Sequence, residues 1–144
     1  MSKIIIGSDH AGFELKEKIS SYLKQLKYNI EDLGTHSNKS VDYPLIGKKV
    51  AQKVAKTNSI GILVCGSGIG MCMTANKIKG VRAALCYDEE TAKLAREHNN
   101  ANILCLGART QSSKNYKKII KKFLTTDSSK VERHVRRVKQ MDAL

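Results

Sequence analysis

Apolar residues fall in short runs and helical stripes that alternate along the whole chain. Lys3–Ile6 reads as a first strand. From about Ala11 to Lys27, Leu15, Ile19, Tyr22, Leu23 and Leu26 recur on one face, which predicts an amphipathic helix. Tyr28–Leu33 predicts a second strand, closed by Gly34, and Thr35–Tyr43 a polar loop. Pro44 suits the first turn of a helix running to about Lys56. Ile60–Val64 predicts a third strand, Ile69–Lys77 a short helix, and Val81–Cys86 a fourth strand. A helix from Asp88 to about His98 precedes a fifth strand, Asn102–Leu106, ended by Gly107. The last third is helical. Tyr116, Ile119, Ile120 and Phe123 form a buried stripe, with Lys114, Lys117, Lys118 and Lys121 pointing away. A final helix, about Ser129–Met141, carries Val131, Val135 and Val138 on one side.

Strands alternating with helices argue for an α/β domain with a parallel sheet covered by helices. No repeat, linker or composition shift divides residues 1–144, so we expect one domain. In such sheets ligands bind at the carboxyl ends of the strands. That rule brings together Asp9-His10, Cys65–Gly70 and Gly107–Arg109, which are far apart in sequence.

The net charge of +13 opens the question of nucleic acid, membrane surfaces or small anions. Aromatic residues are only 5% and tryptophan is absent, so platforms for base stacking are scarce and no nucleic-acid partner is expected. No apolar run approaches the ~20 residues of a membrane span, and no signal-peptide pattern opens the chain. Cys65, Cys72, Cys86 and Cys105 form no C-x-x-C pair and no zinc spacing. We therefore expect free thiols in a reducing cytoplasm, and neither metal nor cofactor.

The densest chemistry lies at Cys65-Gly66-Ser67-Gly68-Ile69-Gly70, where a strand ends in a thiol and glycines follow at alternate positions. Loop amides and a helix start would favour a thiolate at Cys65, able to act as base or nucleophile. The plainer alternative is a small buried residue. Cys72, Cys86 and Cys105 fall within helix or strand patterns and are assigned to the core. The loop is not a Walker A sequence, and a G-x-G-x-x-G fingerprint would need glycine at Met71. Asp88, at the end of the next strand, nevertheless keeps a nucleotide-binding module open as an alternative without catalysis. Asp9 could simply cap a helix, and His98-Asn99-Asn100 could simply end one. Glu132 and Arg136 stand four apart and can pair. Arg133 and Arg137 also stand four apart, a spacing that costs a little unless an anion lies between them.

Gly7-Ser8-Asp9-His10-Ala11-Gly12, Asp42-Tyr43-Pro44, Cys65 through Gly70, Ala75-Asn76-Lys77, Arg96-Glu97-His98-Asn99 and Arg133-His134 occur in that order. On these motifs the chain resembles type B ribose-5-phosphate isomerase, of the ribose/galactose isomerase family, over essentially its whole length. The resemblance implies a Rossmann-like three-layer α/β/α sandwich with a five-stranded parallel sheet and a C-terminal helix. It implies a homodimer or homotetramer whose active sites are completed across the interface. The implied reaction interconverts ribose 5-phosphate and ribulose 5-phosphate through a cis-enediolate, without a metal.

Residue by residue, Cys65 matches the general base and Ser67 a hydroxyl that shuttles a proton between sugar oxygens. The amides of Gly66, Ser67, Gly68, Ile69 and Gly70 match the group that holds the enediolate oxygen. His98 matches the ring-opening acid, assisted by Asp9, and Asn99 a sugar-binding residue. His10, Arg133 and Arg137 match phosphate ligands, with Arg109 and His134 as additions. His98, Asn99 and Arg109 would come from the partner subunit. One branch of the family replaces the cysteine with a glutamate just after the last loop glycine. Met71 stands there, which places this chain in the cysteine branch. Galactose 6-phosphate and allose 6-phosphate are the alternative substrates within the family.

Overall fold

The computed structural model describes residues 3–110 and 112–144. Its strands are β1 (Lys3–Ser8), β2 (Asn29–Asp32), β3 (Ile60–Cys65), β4 (Ala83–Leu85) and β5 (Ile103–Gly107). Its helices are α1 (Phe13–Gln25), α2 (Tyr43–Thr57), α3 (Ile69–Ala75), α4 (Glu89–Glu97), α5 (Ser112–Thr125) and α6 (Glu132–Asp142). All strands run parallel in the order β2-β1-β3-β5-β4.

Period-two alternation divides the core between the two faces of the sheet. Ile4, Ile6, Ile62, Val64, Leu104 and Leu106 pack under α1, α4 and α5. Ile5, Leu63, Cys65, Ile103 and Cys105 pack under α2 and α3. Each fully buried aliphatic side chain contributes about 1.5–3 kcal/mol. The three-layer α/β/α architecture inferred from the sequence is thus the observed one.

Several boundaries move, each for a local reason. Helix α1 starts at Phe13 rather than Ala11 because the Asp9 carboxylate accepts from the Gly12 N–H (2.9 Å) and holds a turn ahead of it. Asp88 caps α4 in a capping box with Thr91, so that helix begins sharply. Helix α6 starts at Glu132 rather than Ser129, because Val131 is extended (φ −60°, ψ 128°) and only the residues after it turn helical; the Ser129 N–H donates to Glu97 O (2.8 Å). Strand β4 shrinks to three residues at the sheet edge. None of the residues of α6 is buried; it lies outside the three layers, and Val131 and Val135 remain exposed.

The topology isolates one strand end. After β1 and β5 the chain leaves toward the α1/α4/α5 face, whereas after β3 it leaves toward the α2/α3 face. The carboxyl end of β3 therefore stands between two neighbours that turn away from it, which opens a crevice there.

Candidate active site

Cys65 is the last residue of β3 and sits at the base of that crevice. The flanking loops are stapled together: Cys65 O accepts from the Ala108 N–H (2.8 Å), and Gly66 O from the Arg109 N–H (2.9 Å). The turn after Cys65 then folds back on itself. Gly68 takes a left-handed conformation (φ 80°), and its N–H donates to Cys65 Sγ (3.2 Å). A side chain at Gly68 would meet the Leu106 backbone at 2.9 Å, so glycine is required twice over. Ser67 Oγ accepts from the Ile69 N–H (3.2 Å), leaving its hydroxyl hydrogen free to donate.

These residues line a cleft of about 600 Å³ with Asp9, Tyr43, Gly66, Ile69, Gly70, Met73, Arg109 and Thr110. Asp9 arrives from β1, only 6% exposed, with its own N–H on Val64 O (3.2 Å). His10 follows it, and its Nδ1 accepts from the Val41 N–H (3.2 Å), which puts a neutral ring's proton on Nε2. Arg109 lies in the cleft of its own chain, since the staple to Gly66 carries it there; its placement on the partner subunit is thereby corrected.

Tyr43, Met73 and Thr110 line the cleft without having been singled out as site residues. For Tyr43 a signal existed in the Asp42-Tyr43-Pro44 motif. Its ring packs so closely on Gly70 that a Cβ there would stand 2.5 Å from a ring carbon. Met71, the position of the alternative acidic base, is fully buried in the core.

The other candidates assemble elsewhere. His98 ends α4, its N–H on Leu94 O (2.9 Å), and Asn99 follows. Both lie where β5 begins, at the amino end of the sheet. The His134 ring from α6 stacks on that of His98, centroids 4.3 Å apart. Burial holds His134 below the ordinary imidazole range, helped by His98, Arg133 and Arg137 and opposed by Glu97. Arg133 and Arg137 are exposed and make no ion pair among the described residues, while Glu132 and Arg136 pair at 3.6 Å. Strands of five and six residues separate this cluster from Cys65 by about 16–20 Å, beyond the reach of one small ligand.

The other thiols are explained by packing. Burial pushes Cys86 up to about 12. The Cys105 thiol donates to Cys72, and with the Leu85 N–H brings Cys72 down to about 7 against its burial, while Cys105 moves up. Cys72 is half-buried rather than wholly in the core, and it faces β4 rather than the cleft. The nucleotide reading loses its support. Strand β5 lies between β3 and β4, so Asp88 is not beside the glycine loop, and its carboxylate is occupied as a cap. Among the described residues, no cluster of His, Cys, Asp and Glu could hold a metal ion.

The family model described as ribose/galactose isomerase matches residues 4–141. The chain belongs to this family. It is 46% identical over 138 residues to the probable ribose-5-phosphate isomerase B of Mycoplasma genitalium, covering 94% of this chain and 90% of that protein. The solved type B ribose 5-phosphate isomerase of Trypanosoma brucei superposes with a TM-score of 0.94 at 44% identity, covering 99% and 98% of the two chains. The Mycoplasma genitalium enzyme, solved with bound ribulose 5-phosphate, gives a TM-score of 0.92 at 44% identity over 98% and 94%.

Proposed function

We propose that this chain interconverts ribose 5-phosphate and ribulose 5-phosphate by proton transfer through a cis-enediolate, with Cys65 as the base. The observation that carries this reading is the Cys65 sulfur in the crevice, with the Gly68 amide aimed at it and a sugar-sized cleft in front. A thiolate there would take the proton from C2 of the open-chain aldose and return it to C1. Negative charge would develop on the sugar oxygens, where preorganised donors act most strongly. The Gly66–Gly70 amides and the Ser67 hydroxyl are the donors at hand, with Ser67 moving a proton between O1 and O2.

Ring opening falls to His98, with Asp9 at the sugar hydroxyls and Asn99 on the sugar. The phosphate falls to His10, Arg109, Arg133 and Arg137. The separation of the His98 cluster from Cys65 supports sites shared between copies: the amino end of one chain would close the cleft of another in a homodimer, or in a tetramer built from such dimers. An isologous two-fold pairing makes two such sites at once.

The deciding experiment assays the purified chain on ribose 5-phosphate, galactose 6-phosphate and allose 6-phosphate in D2O. We expect turnover to be fastest on ribose 5-phosphate, with solvent deuterium appearing in the sugar. Turnover without deuterium would exclude exchange at Cys65, and no turnover on any of the three would leave only a binding protein.

A further inference from the structure

His98 and His134 come from different helices, yet their rings stack at 4.3 Å with planes 30° from parallel. The connection between α5 and α6 is pinned beside them by Ser129 N–H on Glu97 O. The two rings border a cavity of about 210 Å³. His134 Nδ1 is buried and has no hydrogen-bond partner among the described residues. The charged groups facing the pair are Glu97 from α4 and Arg133, Arg137 and Lys139 from α6; the connection itself contributes the uncharged Ser128 and Ser129. A positive charge on both rings at this distance would be strongly repulsive. Burial and the two flanking arginines disfavour that charge on His134.

We propose that His134 is a positioning residue for His98: its ring, stacked against that of the ring-opening acid, fixes the plane of the His98 ring. The inference rests on the reading of His98 as that acid. In the step concerned, His98 gives its proton to the ring oxygen O4 as the C1–O4 bond breaks, and the O1 hydroxyl gives up a proton to Asp9. His134 exchanges no atom with the sugar and acts through His98, a different role from the phosphate ligand that the family resemblance suggests.

Ribulose 5-phosphate has no ring to open. Exchange of its C1 hydrogen with solvent therefore needs the base at Cys65 but not the acid at His98. The test compares full-length wild type, His134→Ala and His134→Phe by two rates: turnover of ribose 5-phosphate, and deuterium incorporation into ribulose 5-phosphate. For His134→Ala we expect kcat on ribose 5-phosphate to fall about tenfold, part of the 10²–10⁴-fold that a general acid commonly supplies. KM should stay within about twofold and the turnover-to-exchange ratio should drop with kcat. His134→Phe, which keeps a flat ring in the stack, should restore most of the ratio. A several-fold rise in KM with kcat intact would make His134 a phosphate ligand and overturn the proposal. Parallel loss of both rates in both variants, or no change in either, would overturn it as well. A wild type that incorporates no deuterium would sink the enediolate reading itself, and this inference with it.

Discussion

Four thiols of one chain differ here because of their surroundings. Cys86 and Cys105 are pushed up and inert in the core, and Cys72, though lowered to about 7, looks toward the sheet edge. Of the four, only Cys65 lines the cleft. Replacing it by alanine removes one buried sulfur and one weak hydrogen bond, so the fold should survive. We expect Cys65→Ala to lower kcat by about 10²–10⁴-fold, the usual contribution of a positioned base, with KM little changed. Steady-state kinetics beside a thermal melt separates this from unfolding; a variant keeping a substantial share of wild-type kcat would remove Cys65 as the base. At this scale much was legible. A thiol before alternating glycines has few uses other than a tight turn facing a ligand, whereas Tyr43 could be read only as part of a motif. Its contact with Gly70 depends on how α2 and α3 cross, which no local pattern encodes.

At the scale of elements, hydrophobic periodicity located each helix and strand, and side-chain hydrogen bonds then decided where each one stops. The clearest departure is Lys16. A lysine marks the wet side of a helix, yet Lys16 lies on the buried face of α1 at 0% exposure. It is held there by an ion pair with Asp32 at the end of β2, by Glu17 (3.0 Å) and by the Phe13 ring (5.4 Å). The partner lies sixteen residues away, across the β1–β2 pairing, so periodicity alone could not reveal it. Removing one member of a buried pair strands the other, and the cost is greater when the stranded charge is the more deeply buried one. Asp32→Ala, which strands a fully buried ammonium, should therefore cost about 2–3 kcal/mol, and Lys16→Met, which leaves Asp32 partly solvated at 28% exposure, should cost less. Denaturant midpoints on the two variants check this, and equal losses would contradict it.

For the whole molecule, the resemblance implied that His98 and Asn99 act from a partner subunit, a division that no local pattern of the chain shows. Topology makes the division: Asp9, Cys65, the glycine loop and Arg109 stand at one end of the sheet, and His98, Asn99, His134 and the α6 arginines at the other. Chains lacking only the base and chains lacking only the acid should therefore rescue each other. Mixed and allowed to exchange, Cys65→Ala and His98→Asn should recover to about a quarter of wild-type activity, since random pairing gives half hybrid dimers with one intact site in two. A mixture no more active than its components would place both halves of the site in one chain.

Such pairing cannot come about by joining sheets at β4. That strand's outward N–H and C=O at Ala83 are both taken by the Asn76 amide (2.8 and 3.0 Å), and the Cys72 thiol also donates to Ala83 O (3.5 Å). Helix α3 thus supplies, from its side chains, a stand-in for the neighbouring strand the sheet does not have. The Ala83 groups that could template another chain's backbone are already spent, one way in which a short edge strand limits sheet growth and aggregation. In the dimer proposed above, contacts between copies would therefore fall to helices, loops or the opposite edge strand, β2, and not to β4.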